Sequence, residues 1–252
     1  MKLDILVIAV HPDDAELCCS GTILKHISLG KKVGIVDLTR GELGTRGTAE
    51  TRDEEAADSA KILGLHAREN LRLRDGFFQN DEFHRLEVIK AIRKYQPEII
   101  LSNALEDRHP DHGRAGDLVY DSVFLSGLPK IETELDGAKQ TAHRPRLLLQ
   151  FIQDRYLKPD IIVDISDHMD KKIESIKAFK TQFYNPDVAG QQTYISSPEF
   201  FETVIGRSRE FGKSIGATFG EGFTSRKLLG VDNLFDLRWG LDDEHKLTRH
   251  TK

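Results

Sequence analysis

Two short strings in this sequence concentrate ionisable side chains. The first is His11-Pro12-Asp13-Asp14-Ala15-Glu16 and the second is His109-Pro110-Asp111-His112. Histidines and carboxylates hold divalent metals and move protons near neutral pH. A catalytic zinc site takes three such ligands and keeps one position open. His11, Asp14 and His112 supply two imidazoles and one carboxylate. Asp13 and His109 are then left beside the metal, and they are the types a hydrolase needs. The carboxylate can take a proton from a metal-activated water. The histidine can stabilise an oxyanion or protonate a leaving amine, and Asp111 can fix its tautomer. Zn2+ is the expected cofactor. Fe2+ or another divalent metal accepts the same donors. Taken alone, either string is also a capped turn, because Pro pre-sets a turn and Asp caps a helix. The pair of strings is what points to a metal.

The pair can form one site only if the chain brings its halves together. Residues 3–10 are an almost continuous apolar run, as in a strand buried on both faces. A helix from Asp14 or Ala15 to Leu29 follows, with Gly30 at its end. A second strand covers 32–38, and a glycine-rich loop covers 40–47. Thr48 or Thr51 caps a helix to Leu63, closed by Gly64. A short strand is expected at 70–73, a helix at 83–95 and a buried strand at 98–102. The alternation predicts an α/β, doubly wound parallel sheet. Both strings then lie beyond the carboxyl ends of strands, where such sheets bind ligands. Further expectations are a helix at 113–125, loop or interface excursion at 126–145, strands at 147–152 and 161–165, and a helix at 167–179. A loop is expected at 182–196. A helix follows from Pro198 to about Gly212, capped by Ser197. The tail after Gly220 carries Trp239 and frays from about Asp242.

Composition narrows the class. The chain has 252 residues, 38% hydrophobic and 31% charged, with a formal net charge of −5. Those values suit a soluble globular protein, read as one domain over 1–252, and argue against nucleic acid as partner. No apolar run approaches the roughly 20 residues that span a bilayer. The first residues make a poor signal peptide, and a cytoplasmic location is the default. Cys18 and Cys19 are adjacent on a helix and cannot cross-link the fold; they read as packing residues. Glu16 reads as a hydrogen-bonded or dipole-favoured helix residue. The remaining histidines have no cluster around them.

His11-Pro12-Asp13-Asp14-Ala15-Glu16 with His109-Pro110-Asp111-His112 resembles the LmbE/PIG-L-type zinc N-deacetylases. The likeness extends through Arg40–Gly47, Glu50–Arg52, Asp75-Gly76, Gln192-Thr193-Tyr194 and Ser197–Glu202. Its longer stretches look like the branch that deacetylates N-acetylglucosaminyl-malate in bacillithiol synthesis. The resemblance implies a Rossmann-like, mostly parallel sheet with helices on both faces. It implies zinc at His11, Asp14 and His112, Asp13 as general base, and His109 with Asp111 in electrostatic or acid catalysis. It also implies Tyr194 on a mobile loop near the oxyanion and Arg52 near an acetamido sugar substrate. A homo-oligomer, with a hexamer among its forms, is implied too. Arg108 is a second cationic candidate, since a guanidinium pairs well with the carboxylates of malate. For both arginines a surface ion pair is the plainer reading.

Two strings imitate other enzymes and are rejected. Gly212-Lys213-Ser214-Ile215-Gly216 matches G-x-S-x-G but follows a helix, whereas a nucleophile elbow follows a strand. Gly206 to Ser214 has one residue too many for a phosphate loop. Rival functions are the same chemistry on N-acetylglucosamine, chito-oligosaccharides or an inositol-linked sugar, and metal or sugar binding without turnover.

Overall fold

In the computed structural model, residues 1–185 and 191–237 are described. Expectations about Pro186, Trp239 and the frayed end from Asp242 lie outside them. Five strands run parallel through the centre: β1 (Ile5–Ala9), β2 (Val33–Asp37), β3 (Ala67–Asn70), β4 (Ile99–Ser102) and β7 (Leu147–Phe151). A two-residue hairpin, β5 (Glu134–Leu135) and β6 (Ala138–Lys139), lies apart within the stretch expected as loop. β8 (Ile161–Asp164) and β9 (Gly220–Thr224) complete a seven-stranded sheet of order β3-β2-β1-β4-β7-β9-β8. β9 is antiparallel to both its neighbours. The sequence reading places this segment in the tail. Two glycines in Gly-Glu-Gly-Phe-Thr remove the apolar alternation that marks a strand.

Strand residues alternate between two cores. Ile5, Val7 and Ala9 face α1 (Asp14–Ser28) and α2 (Ala49–Leu63), packing with Cys19, Ile23 and Leu63. Leu6, Ile8 and Val10 face α3 (Glu82–Tyr95) and α4 (Pro110–Ser126), packing with Val88, Ile92, Leu118 and Val119. The nearly continuous apolar run of β1 follows from burial on both faces. Two more helices, α5 (Met169–Lys177) and α6 (Pro198–Ser214), lie against α1 and β9 respectively. A 3-10 turn at Ser166–His168 replaces the first residues of the expected 167–179 helix. No helix among the described residues is long and apolar enough to cross a membrane.

Local signals set several boundaries. Thr48 accepts a hydrogen bond from the Thr51 N–H at the start of α2, and Gly64 closes the helix with φ 71°. Ser197 occupies the cap position of α6, but its side chain makes no capping bond. The third strand sits at 67–70 and not 70–73. α4 begins at Pro110, three residues before the expected Gly113. Proline is pre-organised for a first helical turn, and the His109 ring accepts the Asp111 N–H in place of a usual cap.

The order of strands decides where ligands go. From β1 the chain steps outward through β2 and β3, then returns to place β4 on the other flank of β1. The carboxyl ends of β1 and β4 therefore flank the point where the winding reverses, and a crevice opens there.

Candidate metal and catalytic site

The two strings leave those adjacent strand ends. Asn103 follows β4 and stitches the halves together: its Oδ1 accepts the Val10 N–H at 3.0 Å, and its Nδ2 donates to Asp14 Oδ2 at 3.1 Å. His11, Asp14 and His112 then converge, each offering an atom within 4.8 Å of the others. His112 Nε2 is 3.2 Å from Asp14 Oδ1, and His11 Nδ1 is 3.6 Å from Asp14 Oδ2. Gln153 Nε2 donates to Asp14 Oδ1 at 3.1 Å.

Each histidine is held from behind by a second carboxylate. His112 Nδ1 lies 2.5 Å from Asp107 Oδ2, and His11 Nε2 lies 3.0 Å from Asp75 Oδ1. With the outer ring N–H given to a carboxylate, the inner nitrogen keeps its lone pair for a metal. Two inward imidazoles and one fixed carboxylate suit a divalent ion with open positions. Burial lowers the basicity of both rings, yet the carboxylates around them outweigh it: His11 is raised to about 10 and His112 to about 9. Asp14, despite burial, is driven well below the usual carboxylate range by His112 and His11. Such a concentration of negative charge around two imidazoles attracts a proton or a metal.

Asp13 sits between His11 and Asp14 in the chain and differs from them in backbone. Its φ is 134°, a region costly for any residue with a side chain and found at functional sites. It precedes α1 at the cap position but makes no capping bond. Its carboxylate turns to Arg52, with Nη1 3.2 Å from Oδ2 and both side chains buried. Burial raises the Asp13 carboxyl to about 7, Arg52 pulls it down, and Asp14 pushes it up. Arg52 is neither the surface ion pair nor a free guanidinium. It is packed against Gly41, whose φ of +64° and missing Cβ leave room for it.

His109 lies 5.0 Å, ring centre to ring centre, from both His11 and His112. Burial and these two neighbours hold it below an ordinary histidine. Asp111 does not grip it through its carboxylate as expected. That carboxylate accepts the Gly76 N–H at 2.9 Å and Arg114 Nη1 at 2.8 Å, and the Asp111 backbone N–H reaches His109 Nδ1 at 3.3 Å. The result for the tautomer is the same: Nδ1 accepts, so the neutral ring carries its proton on Nε2. His11, His109 and Asp111 form a second grouping with metal-compatible spacing, but its carboxylate is already committed.

Tyr194 and Arg108 stand on the rim. The Tyr194 hydroxyl donates to Asp154 Oδ1 at 3.0 Å, Arg108 Nε donates to Asp154 Oδ2 at 3.2 Å, and the guanidinium lies 4.9 Å from the tyrosine ring centre. Tyr194 is 57% exposed, so it is poised above the site and makes no contact with the ligand set. All nine anticipated site residues lie in or beside one crevice. Eight line a pocket of about 470 Å³; Asp111 supports it from behind.

Sequence reasoning gives no role to Asp75, Asp107, Asn103 or Gln153. Asp107 lies two residues before His109, so its proximity is visible in the sequence. Asp75 stands in one of the stretches that carry the family likeness but receives no role there, and nothing in the sequence links Gln153 to the site. Glu16 proves structural: it is buried, bonded to Ser59 at 2.6 Å and paired with Arg68 at 2.5 Å. Cys19 is in the core, and Cys18 lines the pocket.

Comparison with known proteins gives the family. The family model "PIG-L: GlcNAc-PI de-N-acetylase" matches residues 6–123. The chain is 33% identical to the diacetylchitobiose deacetylase of Thermococcus kodakarensis, over 71% of this chain and 70% of that one. It is 25% identical to a Bacillus anthracis protein named "Probable N-acetyl-alpha-D-glucosaminyl L-malate deacetylase 2", over 71% of this chain and 81% of that one. The crystal structure of a conserved protein from Thermus thermophilus superposes with a TM-score of 0.81 and 34% identity, covering 91% of this chain and 98% of that one. With its α/β sheet, its paired His-Pro-Asp strings and these relatives, the chain belongs to the PIG-L/LmbE family of deacetylases.

Proposed function

We propose that this chain hydrolyses the acetamide of an N-acetylglucosamine unit, releasing acetate and the free amino sugar, with Zn2+ held by His11, Asp14 and His112. The observation that carries the reading is a strained, buried Asp13 set beside two anchored imidazoles and an ionised carboxylate. A protein that only bound metal would not need a second carboxylate held at a costly backbone angle. When bound, the metal supplies an acidified water and polarises the amide carbonyl.

The protein's own groups do the rest. Asp13 accepts the proton of the attacking water, and Arg52 orients its carboxylate and favours the ionised form against burial. His109 presents Nε2–H to the oxygen that gains charge, because its Nδ1 is occupied by the Asp111 N–H. The C–N bond breaks as a proton reaches the amine, from Asp13 or His109. Tyr194 is one hydrogen bond away from release toward the same oxygen.

A neutral glycan such as diacetylchitobiose is the favoured substrate. Arg52 pairs with Asp13 and Arg108 with Asp154, so carboxylates of the protein already offset the charges of these two guanidinium groups. The relative at 33% identity points the same way. N-acetylglucosaminyl-malate is the second reading. It is favoured by Arg108, whose side chain is 55% exposed and held only at the rim. The deciding experiment measures amine release by the Zn2+-loaded chain from diacetylchitobiose, N-acetylglucosamine and N-acetylglucosaminyl-malate. The highest kcat/KM is expected on diacetylchitobiose. Preference for the malate compound would select the second reading, and no release from any of them would leave a binding protein.

A further inference from the structure

Three consecutive residues beyond β7 reach both sides of the His11, Asp14 and His112 grouping. The strand ends at Phe151, and the Ile152 N–H still donates to the Gly222 carbonyl of β9 at 3.2 Å. Gln153 then turns its amide toward Asp14. Its Oε1 accepts the Ala104 N–H at 3.1 Å and Asn103 Nδ2–H at 3.0 Å, which leaves Nε2 to donate to Asp14 Oδ1 at 3.1 Å. Flipping this amide would set donor against donor at Ala104 and acceptor against acceptor at Asp14, so its orientation is determined. Gln153 is 5% exposed and Asn103 is fully buried. Little solvent is therefore at hand to replace either bond.

Arg155 serves the other side. Its backbone N–H donates to Asp107 Oδ1 at 2.6 Å, and Asp107 Oδ2 is the oxygen that holds His112 Nδ1. Asp14 and His112 start different helices, yet supports reach both from two residues of one short segment. Between those residues, Asp154 faces the rim. Its carboxylate accepts the Tyr194 hydroxyl and Arg108 Nε, and its carbonyl accepts Arg207 Nη2 at 2.6 Å. Those three bonds tie the segment to the loop before α4, to the turn before α6 and to α6 itself.

We propose that Gln153-Asp154-Arg155 is a positioning element for the metal. Gln153 and the Arg155 N–H set the separation of Asp14 and His112, and Asp154 anchors both by fixing the segment to the rim. This rests on the metal-ligand reading above. The physical reason is pre-organisation. A donor already in place gives up little rotamer freedom when an ion arrives, whereas a released side chain must lose it then. Partners that orient a ligand from behind contribute to metal affinity for the same reason. The particular consequence is at Asp154. Its described bonds go to Tyr194, Arg108 and Arg207, yet its loss weakens binding of the ion.

The test measures Zn2+ affinity of the full chain by competition with a chromophoric chelator, beside the melting temperature of the metal-free chain. Gln153→Met keeps the side-chain length and removes the amide, and affinity is expected to fall about 10–100-fold. Gln153→Ala serves if the methionine variant does not fold. Asp154→Ala is expected to cost about three- to tenfold, as for a residue acting through its neighbours. Turnover of Gln153→Met at saturating Zn2+ is expected to regain the plateau of the unaltered chain. Unchanged Zn2+ affinity in either folded variant would overturn the inference, and a lowered melting temperature with unchanged affinity would show a role in stability alone. A plateau that stays low at saturating Zn2+ would also overturn it, by placing Gln153 in the chemistry. Failure of the unaltered chain to bind Zn2+ would instead overturn the metal reading.

Discussion

The two His-Pro-Asp strings are nearly the same in letters and opposite in use. In the first, the histidine joins the grouping with Asp14 and His112, and the aspartate that follows proline is turned out of that grouping by a backbone at φ 134°. In the second, the histidine before proline stays outside the ligand set and caps α4, while the aspartate after proline is pinned by Arg114 and Gly76. The residue that joins His11 and Asp14 is the next one, His112. What differs is the helix start. α1 begins at Asp14, after the string has turned away from the strand, whereas α4 begins at Pro110 inside its string. A shift of a few residues in the first helical turn changes which side chains face the crevice.

Substitutions can break or sharpen this contrast. The largest effect is expected at the ligands: Asp14→Asn and His112→Ala should lose the metal by elemental analysis and all measurable turnover. Asp13→Asn and His109→Ala should retain metal while kcat falls by about 10²–10⁴-fold, the usual contribution of a positioned acid or base. Metal loss in the second pair would erase the proposed division of work. Next is Asp107→Asn, which removes the charge behind His112 Nδ1; metal affinity measured by chelator competition should drop about 10–100-fold. Gly41→Ala is smaller. A Cβ would stand 2.8 Å from Arg52 Nη2 at a φ of +64°, so the guanidinium must shift and its pairing with Asp13 is expected to weaken. The expected result is a kcat loss of about tenfold with metal content unchanged, roughly one hydrogen bond to a charge. Unchanged kcat would show that Asp13 does not depend on Arg52. The smallest effect belongs to Tyr194→Phe. It removes one exposed bond to Asp154, worth about 1 kcal/mol or less. A few-fold change in kcat is expected, and a hundredfold loss would place the hydroxyl directly on the reacting oxygen.

Much of the fold is legible because its signals are local. The buried runs of β1, β2 and β4, the cap at Thr48 and the stop at Gly64 each depend on a few neighbouring residues. β9 is not legible, since its strand character comes from lying between β7 and β8 and not from Gly-Glu-Gly-Phe-Thr itself. The site divides the same way. The histidines and carboxylates of the grouping stand together in two strings, whereas Asp75 and Gln153 reach the site from distant loops, and only the first of these lies in a stretch that carries the family likeness.

The sequence by itself determined the inventory: two imidazole-carboxylate strings, each after a buried strand, in an alternating α/β chain. The tertiary structure decided the assignments. Strand order put β4 beside β1, so the strings face each other at the switch point. Backbone angles separated Asp13 from Asp14, which are chemically identical in the sequence. Burial pushes both adjacent carboxyls toward the neutral form; it prevails at Asp13, while two histidines overcome it and hold Asp14 ionised.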